Sequence, residues 1–276
     1  MDIIRLAKEQ PEVVEKTLGR IISPQSDDLF GIRVLGLTKR LLGKHQEAVD
    51  YFLRAIKLDP RDAETHVQIA LAYRGLNQLD SAIMYMLRAV DRAPTSQNYT
   101  NCGKLYVEAK SINTAISYFQ RAISIDSEFV AAHYELSLAY ALAGRWDDFF
   151  QEYEWRARYF DDISQLNNSY PMPAWDGSPI HGKRLLVHGE QGHGDWIQFV
   201  RFVKIVRDLG AEVVLHCPKS LMRLFSQVAD GVYDAEEFPP AADFHCSVMS
   251  LPFLIEKLRP ARNRNGQAAP AGEPLT

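Results

Sequence analysis

Ala48, Ala82 and Ala115 stand 34 and then 33 residues apart, and the residues after each of them repeat as well. Four residues on come Phe52, Met86 and Phe119, and seven residues on come Ala55, Ala89 and Ala122. On a helix these positions share one face, so each block presents a small–large–small stripe. Earlier in each block Leu35-Gly36, Ile69-Ala70, Cys102-Gly103 and Leu136-Ser137 put a small residue where two helices approach, and Tyr73, Tyr106 and Tyr140 recur. Pro60 and Pro94 close two of the blocks. A period of this length means a stack of two-helix units, each burying its apolar face against its neighbours.

The pattern is that of the tetratricopeptide repeat, and it predicts an α-solenoid of about four units over residues 28–160. Residues 1–27 carry apolar positions such as Ile4, Leu6, Val14 and Leu18, with Pro11 at a helix start, and read as degenerate capping helices. The fourth unit departs in its second helix. Trp146, Phe149, Phe150, Tyr153, Trp155, Tyr159 and Phe160 are too apolar to face water together, and a hydrophobic seal against the next domain is expected, with a sugar-stacking platform as the alternative. The first helices line a groove whose equivalent positions hold Val34, Gln68, Asn101 and Glu135. Amides there suit the backbone of an extended peptide, and the basic residues that would clamp a terminal carboxylate are missing from these positions.

Residues 161–183, with Asn167, Asn168, Pro171, Pro173 and Gly177, read as an extended linker anchored by Trp175. Over 184–259 strands and helices alternate. Strands are expected at Arg184–Val187, Glu212–His216, near Val232 and at about 243–249, and helices at Asp195–Leu209, Ser220–Val228 and Leu251–Leu258. Such alternation implies a parallel sheet with right-handed crossovers, here in the order 3-2-1-4. The expectation is a partial α/β Rossmann-like unit of three layers, ending on a strand whose open edge invites self-association or a second chain. Residues 260–276 are rich in Pro, Gly, Ala and Asn and are expected to be disordered.

The run Pro173 to Pro218 holds Trp175-Asp176-Gly177, Gly182 to Val187 and Glu190 to Phe199; Asp243-Phe244-His245-Cys246 and Ser250-Leu251-Pro252 come after it. With the repeats ahead of it, this resembles bacterial proteins that join tetratricopeptide repeats to a GT-B glycosyltransferase lobe, of the kind seen in heptosyltransferases and O-linked N-acetylglucosamine transferases. His193 and Trp196 stand where that family is expected to have an aliphatic and a small hydroxyl residue. The resemblance implies hexosyl or N-acetylhexosaminyl transfer, with a sugar nucleotide as co-substrate and no tightly bound cofactor. It also implies a second, donor-binding lobe, for which nothing in the sequence is left over.

The strand at Leu185–Val187 runs into a turn punctuated by Gly189, Gly192 and Gly194, which is neither G-x-G-x-x-G nor a Walker loop. Asp195 is expected where turn meets helix, at the carboxyl end of the first strand, where open α/β sheets bind ligands. By the resemblance it would be the general base that takes a proton from an acceptor hydroxyl; as a residue type it is also a preferred helix cap. Glu190, Gln191, Gly192, His193 and Gly194 would line the substrate position or stand as exposed loop groups. Gln198, one helical turn beyond Asp195, would bond it or a sugar hydroxyl. His188, His216 and His245 fall at three strand ends, but no tight ligand spacing accompanies them, and no metal is assigned.

The 276 residues carry a net charge of −4 with no basic stripe, which argues against nucleic acid as a main ligand. No apolar run approaches the ~20 residues of a membrane span, and the start lacks the apolar core of a signal peptide. Three widely spaced cysteines read as reduced and buried, and the cytoplasm is the expected location. Two functions are expected on these grounds. One is the acceptor-binding half of a sugar-nucleotide-dependent transferase acting on a protein or saccharide. The alternative is a non-catalytic protein–protein interaction or scaffold module with a vestigial α/β lobe.

Overall fold

The computed structural model describes residues 3–23, 25–190 and 192–258, and the chain divides into two compact units, 1–149 and 150–276. The expected disordered tail, 260–276, and Gln191 lie outside the described residues.

The first unit opens with α1 (Ile3–Glu9) and α2 (Pro11–Ile21), the latter with Pro11 in its first turn. Helix pairs then follow: α3 (Leu29–Leu41) with α4 (His45–Leu58), α5 (Ala63–Gly75) with α6 (Leu79–Arg92), α7 (Ser96–Glu108) with α8 (Ile112–Ile125), and α9 (Val130–Leu142). Three of the first helices begin on a side-chain cap. Asp28, Asp62 and Thr95 accept from the backbone N–H groups of Gly31, Thr65 and Asn98 at 3.1–3.2 Å. Each satisfies one of the otherwise unpaired donors of a helix start. Phe129, at the matching place in the fourth unit, supplies no such cap.

The repeated small residues are sterically required. A Cβ added to Gly36 would lie 2.7 Å from the Phe52 ring, and one added to Gly103 would lie 2.5 Å from the Phe119 ring. Where the first helix carries Ala70 in place of glycine, the second helix carries the slimmer Met86. Large and small trade across the contact, which is how a close-packed interior keeps its volume. Tyr73 stacks on Tyr85 at 5.6 Å and Tyr106 on Tyr118 at 5.2 Å, so the recurring tyrosine packs within its own helix pair.

Helix α10 (Trp146–Tyr153) carries the aromatic run across the boundary between the units. In the first unit Trp146 meets Phe149 edge-on at 5.9 Å and is itself half exposed. In the second, α11 (Arg156–Tyr159) and α12 (Asp161–Asn168) follow. Residues 161–168 are therefore helical where an extended linker was expected, because Ile163 on α12 buries.

The sheet of the second unit has strands β1 (Arg184–His188), β2 (Glu212–Cys217), β3 (Gly231–Asp234) and β4 (Phe244–Ser247). All pairings are parallel and the order is β3-β2-β1-β4, as the alternation predicts. Between them lie α13 (His193–Phe199), a 3-10 turn at Val200–Phe202, α14 (Val203–Asp208), α15 (Lys219–Phe225) and, after β4, α16 (Leu251–Lys257). Trp196 on α13 meets Phe225 on α15, and α14 touches α16, so these four helices form one layer. In place of the expected third layer, the other cover of the sheet comes from residues 161–183, through Tyr170 and Trp175.

Two expectations are corrected here. The single helix Asp195–Leu209 is two helices joined by a tighter turn, and it starts at His193. The outer edge of β4 is not open either: the Trp175 N–H donates to the His245 carbonyl at 2.8 Å and the His245 N–H donates to the Pro173 carbonyl at 3.0 Å. An extended segment of this chain thus takes the place expected for a second chain.

Candidate functional site

Three separated sequence motifs meet at Arg156. This side chain is 1% exposed, and its guanidinium places all five N–H donors. Nε and Nη2 donate to the two Glu190 oxygens at 2.8 Å each, a bidentate pair. Nη1 donates to Glu154 at 2.8 Å and to the Tyr153 carbonyl at 3.1 Å, and Nη2 also donates to Ser250 Oγ at 2.9 Å. Ser250 in turn donates to Glu154 at 3.0 Å. Burial disfavours the charge on Arg156, but Glu154 and Glu190 outweigh it and hold the guanidinium above its ordinary pKa.

Glu190 is therefore no exposed loop group: its side chain is 0% exposed and fully engaged. Its bidentate partner fixes the start of the glycine turn. Gly189 is needed for a different reason, since a Cβ there would lie 2.1 Å from Trp196 Nε1. Trp196, 1% exposed, is one of the two residues that depart from the resembled family, and it fills the space over the turn. Gly192 and Gly194 meet nothing within 4 Å and have no left-handed backbone.

The remaining turn residues are more open. Gly192 caps α13, so Asp195 sits three residues inside and does not cap the helix; its own N–H bonds the Gly192 carbonyl at 3.2 Å. The Asp195 carboxylate is half-buried and has no bonded partner among the described residues. Gln198 is exposed and makes no hydrogen bond to Asp195. His193 shares a 2.7 Å hydrogen bond with Ser220 Oγ, which ties the start of α13 to α15.

The three strand-end histidines lie on one face, because His188 pairs in register with His216 and Leu186 with His245. Tyr170 stacks on His188 at 4.3 Å and on His245 at 5.0 Å, and its hydroxyl bonds His216 Nδ1 at 3.0 Å. His188 Nε2 meets His245 Nδ1 at 3.1 Å. Burial pushes the His188 imidazole down to about 3 and also lowers His245. Among the described residues no group of His, Cys, Asp and Glu is arranged to hold a metal ion.

Sequence reasoning missed a cavity beside this cluster, of about 340 Å³, lined by Glu154, Asn167, Asn168, Tyr170, His245 and Ser247 among others. No single motif spells it, since its walls come from the turn at Glu154, α12, the segment 170–175, β4, the turn at Ser250 and α16.

In the first unit the groove residues are tied to the next helix or turn. Gln68 accepts from Arg40 Nε at 3.0 Å and donates to Glu64 at 2.6 Å. Asn101 accepts from Gln97 at 3.0 Å, and Glu135 pairs with Lys104 at 2.8 Å. Val34 is buried. A cavity of about 360 Å³ opens instead at the amino-terminal end of this face. Ile4, Phe30, Val34 and Leu37 form its apolar part, and Lys8, Arg33 and Arg40 with Glu64 and Gln68 its polar part. Phe30 is 55% exposed.

Comparison with known proteins bears on the first unit most directly. A family model described as "Tetratricopeptide repeat" matches residues 34–97 and 103–159. Over those two stretches the helix pairs match tetratricopeptide repeats. The crystal structure of MamA superposes with a TM-score of 0.52 at 20% identity, covering 62% of this chain and 99% of that one, and this likeness is one of fold. Among curated proteins, FlbA of Caulobacter vibrioides is 23% identical over 219 residues, which is 76% of this chain and 36% of FlbA. The BBSome complex member BBS4 of Bos taurus is 25% identical over 187 residues, 67% of this chain and 32% of BBS4. The chain thus spans about a third of the length of the curated relatives it matches. A match as long as that to FlbA takes in the strand–turn–helix around Gly189 as well as the repeats. None of these likenesses lends support to a glycosyltransferase lobe; what stands in the second unit is a small parallel sheet. No helix among the described residues is long and apolar enough to cross a membrane.

Proposed function

We propose that this protein is a protein-interaction module whose tetratricopeptide repeats hold a segment of a partner protein against the face built by their first helices. The observation that carries the reading is the cavity on that face. It has an apolar floor, an exposed Phe30 and a polar rim of Lys8, Arg33 and Arg40 with Glu64 and Gln68, a combination that suits a bulky apolar side chain flanked by polar or charged groups. Gln68 and Glu135 act on this reading mainly as ties between successive repeats, and Asn101 is bonded within its own helix. Phe30→Asp tests it. Peptides selected from a random library on the intact chain should lose at least tenfold in affinity for the variant while its helical content is unchanged. Selected peptides that bind the variant equally well would contradict the reading.

A second reading, transfer of a sugar from a nucleotide donor, is favoured by one observation only. The half-buried Asp195, without a described partner, stands beyond the carboxyl end of β1 in a parallel sheet. On this reading Asp195 would be the base, with Gly192, His193, Gly194 and Gln198 around the acceptor. The assay is hydrolysis or transfer from UDP- and GDP-sugars, and turnover that disappears in Asp195→Asn would support it. On the first reading there is none to lose.

A further inference from the structure

We infer that the cavity beside the histidine face of the second unit binds a primary ammonium group, carried on the short alkyl chain of a free amine or of a partner's lysine side chain. The inference is independent of the repeats.

Hydrogen bonding fixes what the cavity offers. The Gly189 carbonyl can only accept, so the His188 Nδ1 that meets it at 3.3 Å carries the proton. Burial keeps His188 uncharged, with its imidazole pushed down to about 3, so its Nε2 is a bare lone pair. The His245 Nδ1 that faces this lone pair at 3.1 Å is then the donor. Burial lowers His245 as well, and in the neutral ring the remaining nitrogen, Nε2, is left bare. His245 is 4% exposed and lines the cavity; its Nε2 has no partner among the described residues and is not sealed from solvent, so it opens on the cavity as an acceptor. The Tyr170 hydroxyl is spent elsewhere. In neutral His216, Nε2 donates to the Glu237 carbonyl at 3.1 Å and Nδ1 takes the Tyr170 proton at 3.0 Å.

Glu154 supplies the charge. Its side chain is 29% exposed and lines the cavity. One carboxylate oxygen accepts from Arg156 Nη1 at 2.8 Å and the other from Ser250 Oγ at 3.0 Å, which leaves lone pairs on both. Arg156 with Glu154 and Glu190 sums to one negative charge, and Glu190 is fully buried. No cationic side chain lines the cavity among the described residues. The Cys246 thiol in the same wall feels this field: burial first, then the charges of Glu154 and Glu190, push it well above its ordinary value. The Asn167 and Asn168 side-chain carbonyls add acceptors without a described partner. A primary ammonium brings three N–H donors and the missing positive charge to a carboxylate, a bare imidazole nitrogen and amide oxygens. A hydroxyl brings one donor and no charge, and an anion would meet a carboxylate without a counter-ion. The volume of about 340 Å³, at the lower end of the roughly 300–1,000 Å³ of small-molecule sites, suits a chain of a few carbons.

The test is calorimetry on the intact chain. The probes are n-butylammonium and Nα-acetyl-lysine methylamide, with 1-pentanol as the uncharged counterpart and butyltrimethylammonium as the one without N–H donors. Saturable binding of at least one primary ammonium is expected, with each counterpart at least tenfold weaker. Binding of butylammonium alone assigns a free amine, and tighter binding of the lysine derivative assigns a partner's side chain; both support the inference. Glu154→Gln should weaken the bound probe at least tenfold. Should that variant fail to fold around Arg156, Asn168→Lys, at an exposed position, should weaken it by a similar factor. Absence of saturable binding by both primary ammonium probes, equal or tighter binding of a counterpart, or undiminished binding by the folded variant would overturn the inference.

Discussion

Four positions spaced 33 or 34 residues apart, Gly43, Asn77, Lys110 and Gly144, hold the same left-handed backbone at the turn inside each repeat, with φ from 57° to 73°. Glycine adopts this conformation freely, whereas another residue gives up roughly 1 kcal/mol. A side chain at Gly43 would touch nothing within 4 Å, so Gly43→Ala isolates the backbone cost. It should destabilise the repeats by about 1 kcal/mol, and Lys110→Gly should stabilise them by a similar or smaller amount, both read from urea midpoints. A sharper test lies at the helix crossing. Gly103→Ala drives a methyl against the Phe119 ring and should cost about 1–3 kcal/mol. Adding Phe119→Met recreates the Ala70–Met86 pairing already present and should recover part of that loss. A double variant no more stable than the single would mean that the trade of large for small across the repeats does not set the packing.

At the scale of elements, the buried Arg156 ties together α11, the glycine turn and the start of α16 in the second unit. Arg156→Met leaves the fully buried Glu190 carboxylate without its partner and should cost about 3–5 kcal/mol in the unfolding of that unit. Arg156→Met with Glu190→Gln should cost less than Arg156→Met alone, because the stranded charge is gone. The histidine face adds a pH dependence. His188 is held down at about 3 by burial, so the unfolded chain binds a proton near its ordinary value that the folded chain does not. This contribution is complete above about pH 6.5 and is lost as the pH falls toward 3. Moving from pH 7 to pH 5 should cost about 2 kcal/mol, visible as a lower urea midpoint for the unfolding of the second unit. His188→Gln should flatten that slope.

The sequence made these elements legible to unequal degrees. The parallel order β3-β2-β1-β4 follows from alternating strand and helix patterns, since right-handed crossovers leave few arrangements open. Arg156 and its carboxylates do not show in any local pattern. The residues that meet are 34 and 94 positions apart, and burial of a charge is decided by packing, not by spacing. The cap on the edge of β4 escaped notice because Pro173 and Gly177 suggest a turn, while the pairing itself is made by backbone atoms.

On the scale of the molecule, two units carry two different kinds of surface. The repeats were readable from period alone, because each unit packs only on its neighbours and the sequence must restate the contact each time. Their binding cavity was less so. Val34, Gln68, Asn101 and Glu135 are equivalent by spacing, yet the open space lies at α1, α3 and α5, where Ile4 and Lys8 of the capping helices complete it. In the small sheet, Glu190, the first residue of the run Glu190 to Phe199, serves a buried ion pair. Amide hydrogen exchange of the intact chain, with and without a peptide selected on it, tests the proposed function most directly. Slowed exchange over 3–9, 29–41 and 63–75, with 184–258 unchanged, is the result expected. Protection confined to the second unit, or centred on the turn at 189–195, would contradict it.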